Sequence, residues 1–244
     1  MPLYENRLGI FYTCNYNGLM KPLLKSVLKR LKKVSDNKID IISSVWQPIK
    51  NNPFPEYISP YTRVNDINLC LQILSLLSIY GESQKYKYVS FLEHDVFYPD
   101  DYFDYPDFST NVLLNPYSIG LNKFGYINKK KKFKHQIIDE EGMSDMPLFL
   151  TTMNFNFAVF HFTKCLFNQL NPINDNKPCF EPIEEFNKKN YTIYKAKNPV
   201  LHIDTGWNYS HHFEIFYDKK MNDVYPKHKY WGEAKKYDKF FKQL

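Results

Sequence analysis

The residues best suited to chemistry are Glu93, His94 and Asp95, in the run Phe91-Leu92-Glu93-His94-Asp95-Val96. Two carboxylates two residues apart at the end of an apolar run point the same way if the backbone stays extended. A hard divalent cation takes such oxygen donors and keeps positions open for a diphosphate. Held there, it stabilises the negative charge that builds on a departing nucleoside diphosphate. The same pattern also serves as a solvated strand end that caps the next segment, so its surroundings decide. Arg63 is a second candidate. It is one of only three arginines, with Arg7 and Arg30, and it opens a helical pattern. A helix N-terminus favours anions, and a guanidinium adds a fork for phosphate.

The elements that must position these groups can be read from periodicity. Leu8 to Asn15 is a short apolar run of β-formers and predicts a buried strand, followed by a turn over Asn15 to Gly18. Leu19 to Val34 repeats apolar residues at Leu23, Leu24, Val27, Leu28 and Leu31, the stripe of a helix with one solvated face. Ile39 to Trp46 predicts a second strand, so the chain opens β-α-β, which implies a parallel sheet. Four prolines make Gln47 to Pro60 a loop. Thr62 to Tyr80 predicts a long helix with Ile67, Leu71, Leu74 and Leu77 or Ser78 on one side, ended by Gly81. Tyr86 to Val96 predicts a third strand with the carboxylates at its C-terminal end, where open α/β sheets bind ligands.

Beyond this point Asn111 to Asn122 and Asn154 to Phe162 read as strands, and Thr163 to Leu170 and Phe180 to Asn190 as short helices. Asn128 to Met146, with its KKKKFK and DEEGMSD runs, reads as a charged excursion, and Tyr191 to Asp204 as mostly extended. From Tyr217 onward the chain is rich in lysine and aromatics and reads as a helix or a lid.

Composition removes several alternatives. With 8 glycines and neither G-x-x-x-x-G-K-[ST] nor G-x-G-x-x-G, phosphate binding through a glycine-rich loop is excluded. The cysteines Cys14, Cys70, Cys165 and Cys179 show no C-x-x-C spacing, which argues against a cysteine zinc site or a disulfide framework. No apolar run reaches the length of a membrane span, and no leader pattern stands at the N-terminus. The expectation is a soluble protein of a reducing cytoplasm, with no membrane partner. A formal net charge of +6 suits an anionic partner such as a nucleotide or nucleic acid.

These residues resemble the GT-A family of glycosyltransferases. In that family a βαβ unit and a long helix lead to a strand ending in a D-x-D-type motif; LEHDV occupies that place, with Glu93 first and Asp95 second. The run EHDVFYPDDYF, the stretch SSVWQPI from Ser43 to Ile49, and HIDTGWNYS from His202 to Ser210 are similar to a branch of glycosyltransferase-like proteins frequent in phage genomes and metagenomes. The resemblance implies an α/β fold with a mixed, mainly parallel, Rossmann-like sheet flanked by helices in a single domain. Residues 1–216 would form that domain, with a nucleotide-binding half over about 1–100 and an acceptor half over about 101–216; 217–244 would be a basic aromatic tail or lid.

The resemblance further implies Mn²⁺ or Mg²⁺ and a UDP-sugar donor. Glu93 and Asp95 would hold the cation or its surroundings. His202 or Asp204, on one face of a late strand, would complete the metal site, with His211 and His212 as further candidates. Thr13 and Asn15 at the end of the first strand, with Arg63, would bind the nucleotide; ordinary turn chemistry is the other use of Asn15. For an inverting enzyme, Glu181, Glu184 or Glu185 supplies the base, with Asp145 a looser choice. The implied acceptor is the hydroxymethyl group of a modified pyrimidine in DNA, with lysines of Lys129 to Lys134 and Lys227 to Lys242 on phosphates. The alternatives are a glycan, lipid or protein acceptor, a non-catalytic nucleic-acid-binding module, or a metal-dependent nuclease.

Overall fold

A computed structural model describes residues 6–13, 21–62, 66–81, 85–122, 125–127, 148–170, 191–203 and 224–241. The first strand, β1 (Arg7–Tyr12), is buried along its whole length. Even Arg7 is buried at its start, donating to Phe103 O at 2.9 Å and Tyr105 O at 2.8 Å and stacking 4.1 Å over the Tyr105 ring. Helix α1 (Lys21–Ser35) buries the apolar stripe read from the sequence. It leads to β2 (Asp40–Val45), parallel to β1 with Gly9 opposite Ile41. The proline-rich segment is not wholly loop. Its Glu56–Ile58 forms β3, which runs parallel to β2. The Glu56 carboxylate folds the preceding turn by accepting from Ile49 N and Asn52 Nδ2.

Helix α2 (Asp66–Gly81) turns a different face inward than expected. Cys70, Ile73, Leu76 and Leu77 are buried, whereas Leu74 is half-buried and Ser78 exposed. The helix is apolar nearly all round, so periodicity alone did not select its buried side. It packs against α3 (Phe155–Leu170). The strand expected over Asn154 to Phe162 is instead almost wholly helix. The strand there, β9, is Thr151–Asn154, and the following residues are helical. Asn154 caps that helix by accepting from Asn156 N at 3.1 Å. Phe155, Ala158, Phe162 and Cys165 then repeat at helical spacing, which overrides the β-propensity of the aromatics.

The third predicted strand also differs. Its first part is β4 (Tyr88–Glu93); the chain then turns at His94 and Asp95, and β5 (Val96–Phe97) joins another sheet. A single strand over Asn111 to Asn122 is likewise divided, into β6 (Val112–Leu114) and β7 (Ser118–Asn122). Pro116, which has no N–H for a ladder, lies in the break. The remaining strands are β8 (Gly125–Ile127), β10 (Tyr191–Ile193), β11 (Val200–Ile203), β12 (Val224–Tyr225), β13 (Lys227–His228) and β14 (Gly232–Glu233).

Two sheets carry the fold. The larger has the order β10-β6-β9-β4-β1-β2-β3, and every pairing is parallel except the two made by β9. The mixed, mainly parallel α/β sheet expected from the sequence is therefore the fold observed. The smaller sheet, β12-β8-β7-β11-β5, is parallel only between β7 and β11.

Residues 224–241, expected as a tail or lid, are packed into the body. Trp231, Tyr237 and Phe240 are buried, and all three rings contact Phe97. A 3-10 helix, Ala234–Phe240, carries the last two. No helix among the described residues is long and apolar enough to cross a membrane.

Candidate functional site

The order β3-β2-β1-β4 reverses direction between β1 and β4, because the chain first steps outward from β1 and then returns to its other side. In doubly wound sheets the crevice at that reversal, beyond the carboxyl ends of the strands, receives ligands. Tyr12 and Glu93 end β1 and β4 there, opposite each other in register. The Tyr12 phenol donates to Glu93 Oε1. The Glu93 backbone N–H donates to the Tyr98 hydroxyl at 3.0 Å. Burial, then the Glu93 charge, push the Tyr12 phenol well above its ordinary ionisation range. Burial, then Tyr102 and Glu93, do the same for Tyr98. Asp95 adds to both effects, so the two carboxylates act on the same pair of phenols.

Glu93 and Asp95 do not lie on one face of an extended strand, because the backbone turns at His94–Asp95. This corner buries Asp95, which is 4% exposed, and brings it to β11. Asp95 O accepts from Ile203 N at 2.9 Å, and Asp95 Oδ2 lies 3.3 Å from His202 Nε2. Burial by itself would raise the Asp95 pKa. The charge and hydrogen bond of His202, then His94 and a backbone hydrogen bond, outweigh it and bring the carboxyl down to about 2. His94 is pushed the other way, lowered first by burial, with Asp95 opposing and His202 assisting. Its Nε2 is buried without a hydrogen-bond partner among the described residues.

The corner is braced from behind. Arg30 of α1 donates from Nε to Tyr98 O at 2.8 Å and from a terminal nitrogen to the Tyr230 hydroxyl at 2.7 Å. Tyr230 donates to Asp100 Oδ2 at 2.7 Å, and Asp100 N donates back to Tyr230 at 3.0 Å. The Trp231 indole N–H is held by Pro199 O, just ahead of β11. One contact chain thus joins the C-terminal segment to both strands that carry the acidic corner and His202.

Of the residues singled out by sequence, Glu93, Asp95 and His202 come together here. Thr13 lies at the end of β1, buried, with its backbone N–H donating to Ser44 O at 3.2 Å. Asn15, Arg63, Asp145, Glu181, Glu184, Glu185, Asp204, His211, His212 and Lys129 to Lys134 lie outside the described residues. Tyr12 and Tyr98 were not singled out. Tyr12 sat inside an apolar strand reading, and its meaning emerges only from the β1–β4 register.

Asp95 and His202 present a carboxylate oxygen and an imidazole nitrogen side by side, a donor pair that suits Mn²⁺. No group of three or more His, Cys, Asp or Glu side chains among the described residues is arranged as a complete metal cage.

No known protein family matches the chain, and no curated protein matches it in sequence. Solved structures are similar in fold. One is a glycosyltransferase involved in the glycosylation of the major capsid of PBCV-1, at 9% identity over 86% of this chain and 99% of that one, with a TM-score of 0.44. Another is a protein assigned as a nucleotide-diphospho-sugar transferase from Desulfovibrio desulfuricans G20, at 12% identity over 97% of each chain, with a TM-score of 0.41.

Proposed function

We propose that this chain is a metal-dependent glycosyltransferase of the GT-A type, moving a sugar from a nucleoside-diphosphate donor, with UDP the favoured nucleotide, to an acceptor hydroxyl. The observation that carries the reading is the buried Asp95 carboxylate at the reversal of the sheet, with His202 3.3 Å away and Glu93 beside it at the end of β4. A carboxylate–imidazole pair at that place suits a cation that would in turn neutralise a diphosphate.

Asp95 and His202 are the residues that would hold Mn²⁺ or Mg²⁺, with Asp204 a further candidate. When bound, the ion offsets the charge of the departing nucleoside diphosphate. Glu93, fixed by Tyr12, supplies a second anionic group at the same edge. Thr13, Asn15 and Arg63 form the proposed nucleotide contacts, and Glu181, Glu184 or Asp145 the proposed base.

The favoured acceptor is the hydroxymethyl group of 5-hydroxymethyluracil or 5-hydroxymethylcytosine in phage DNA. Its support is electrostatic: a net charge of +6 and the exposed lysines Lys229, Lys235 and Lys239 on the C-terminal segment. The test is a donor screen that reads release of nucleoside diphosphate, with and without hydroxymethylated DNA. Metal-dependent release from one sugar nucleotide is expected. No release from any donor, with or without acceptor, would overturn the assignment.

A further inference from the structure

Glu93 is gripped at two points, by the Tyr12 phenol on Oε1 and through its own N–H by the Tyr98 hydroxyl. Tyr12 stands directly opposite it on the neighbouring strand. Adjacent strands lie within side-chain reach of each other, and the length of each side chain decides whether the polar ends meet. An aspartate at this position would withdraw the carboxylate by ~1.5 Å, one carbon–carbon bond. Hydrogen bonds tolerate only a few tenths of an ångström of stretch. The glutamate, in a place where a D-x-D pattern has aspartate, is therefore long enough to meet Tyr12.

We propose that Tyr12 is a positioning residue for Glu93, and that Glu93 is a glutamate in this chain because it must reach Tyr12. The inference rests on reading Glu93 and Asp95 as the donor-binding pair. Tyr12 fixes the orientation in which the Glu93 carboxylate meets the bound metal–nucleotide group. Tyr98 fixes the backbone behind it and is itself tied by its carbonyl to Arg30.

The test is calorimetric binding of UDP in the presence of Mn²⁺ to wild type, Tyr12→Phe, Glu93→Asp and the double variant, with melting temperatures alongside. Tyr12→Phe keeps the ring and deletes the hydroxyl. It is expected to weaken binding about 10-fold, the usual scale of a lost hydrogen bond to a charged group. Glu93→Asp keeps the charge and loses the reach, and is expected to weaken binding to a similar degree. The double variant is expected to bind no more weakly than Glu93→Asp alone, because both changes remove one contact. Wild-type affinity in Tyr12→Phe or in Glu93→Asp, or losses that multiply in the double variant, would overturn the inference. If Tyr12→Phe does not fold, Glu93→Asp alone carries the decision. A wild type that binds no nucleotide would instead overturn the donor site itself.

Discussion

Phe97 and Phe240 lie stacked, with ring centroids 6.0 Å apart and planes at 28°. One follows the acidic corner; the other lies in the 3-10 helix of the C-terminal segment. Trp231 and Tyr237 meet the same ring at 6.4 and 5.9 Å. Phe97→Ala is therefore expected to cost about 3–5 kcal/mol of stability, the range for removing a buried phenylalanine. Denaturant titration measures this. A loss below about 1 kcal/mol would mean that residues 224–241 do not pack on β5 in solution.

The pairing of Asp95 with His202 leads to a second expectation. Asp95→Ala removes the buried anion, and transfer should fall about 100- to 1000-fold, as when one charge-stabilising contact is lost. His202→Ala should weaken Mn²⁺ binding while leaving Asp95 in place. Steady-state kinetics and metal calorimetry read the two effects. Undiminished transfer by Asp95→Ala, or by wild type in excess chelator, would remove the cation from the mechanism.

Nucleotide and metal should protect the fold. Ligand at 100 times its dissociation constant adds about 2.7 kcal/mol to the stability of the native state. For a chain of this size that corresponds to a rise in melting temperature of roughly 5–10 °C. UDP with Mn²⁺ is expected to give this rise, and UDP with chelator much less. Equal melting curves under all conditions would contradict a donor site at the end of β1 and β4.

The acceptor is tested by nucleoside mass spectrometry after enzyme, donor and hydroxymethylated duplex are incubated together. Addition of one sugar to the modified pyrimidine is expected. DNA affinity should fall steeply with salt, and neutralising Lys129 to Lys132 should flatten that dependence, because each bound lysine releases condensed counterions. Unchanged nucleosides with every donor, beside transfer to a glycan or protein hydroxyl, would redirect the enzyme away from DNA.

Much of this architecture was legible where local chemistry and global fold agree. The β-α-β opening and the buried stripe of α1 follow from hydrophobic period alone, as does a strand leading to Glu93. The corner at His94–Asp95 was not legible. A change of sheet depends on which distant strand is available, and β11 lies about a hundred residues further along. The helix from Phe155 was hidden because phenylalanine favours strands intrinsically, whereas its burial here follows helical spacing. The C-terminal segment read as a helix or a lid, and its many lysines gave no sign of which residues it buries. Trp231, Tyr237 and Phe240, spaced between them, are what it buries. Tyr12 escaped notice for a different reason: a phenol inside an apolar strand looks like core until the opposite residue on the next strand is known to be acidic.

The turn at His94–Asp95 also acts as a spacer of fixed length. Val96 and Phe97 point to opposite sides of β5, and Val96 is opposite His202 in β11. Deleting or inserting a single residue at the turn would exchange those sides. Phe97 would leave its aromatic nest, and the residue facing His202 would change, although no residue of the site had been replaced. Substitutions in this corner are thus expected to be graded in effect, whereas changes in its length should be all or none.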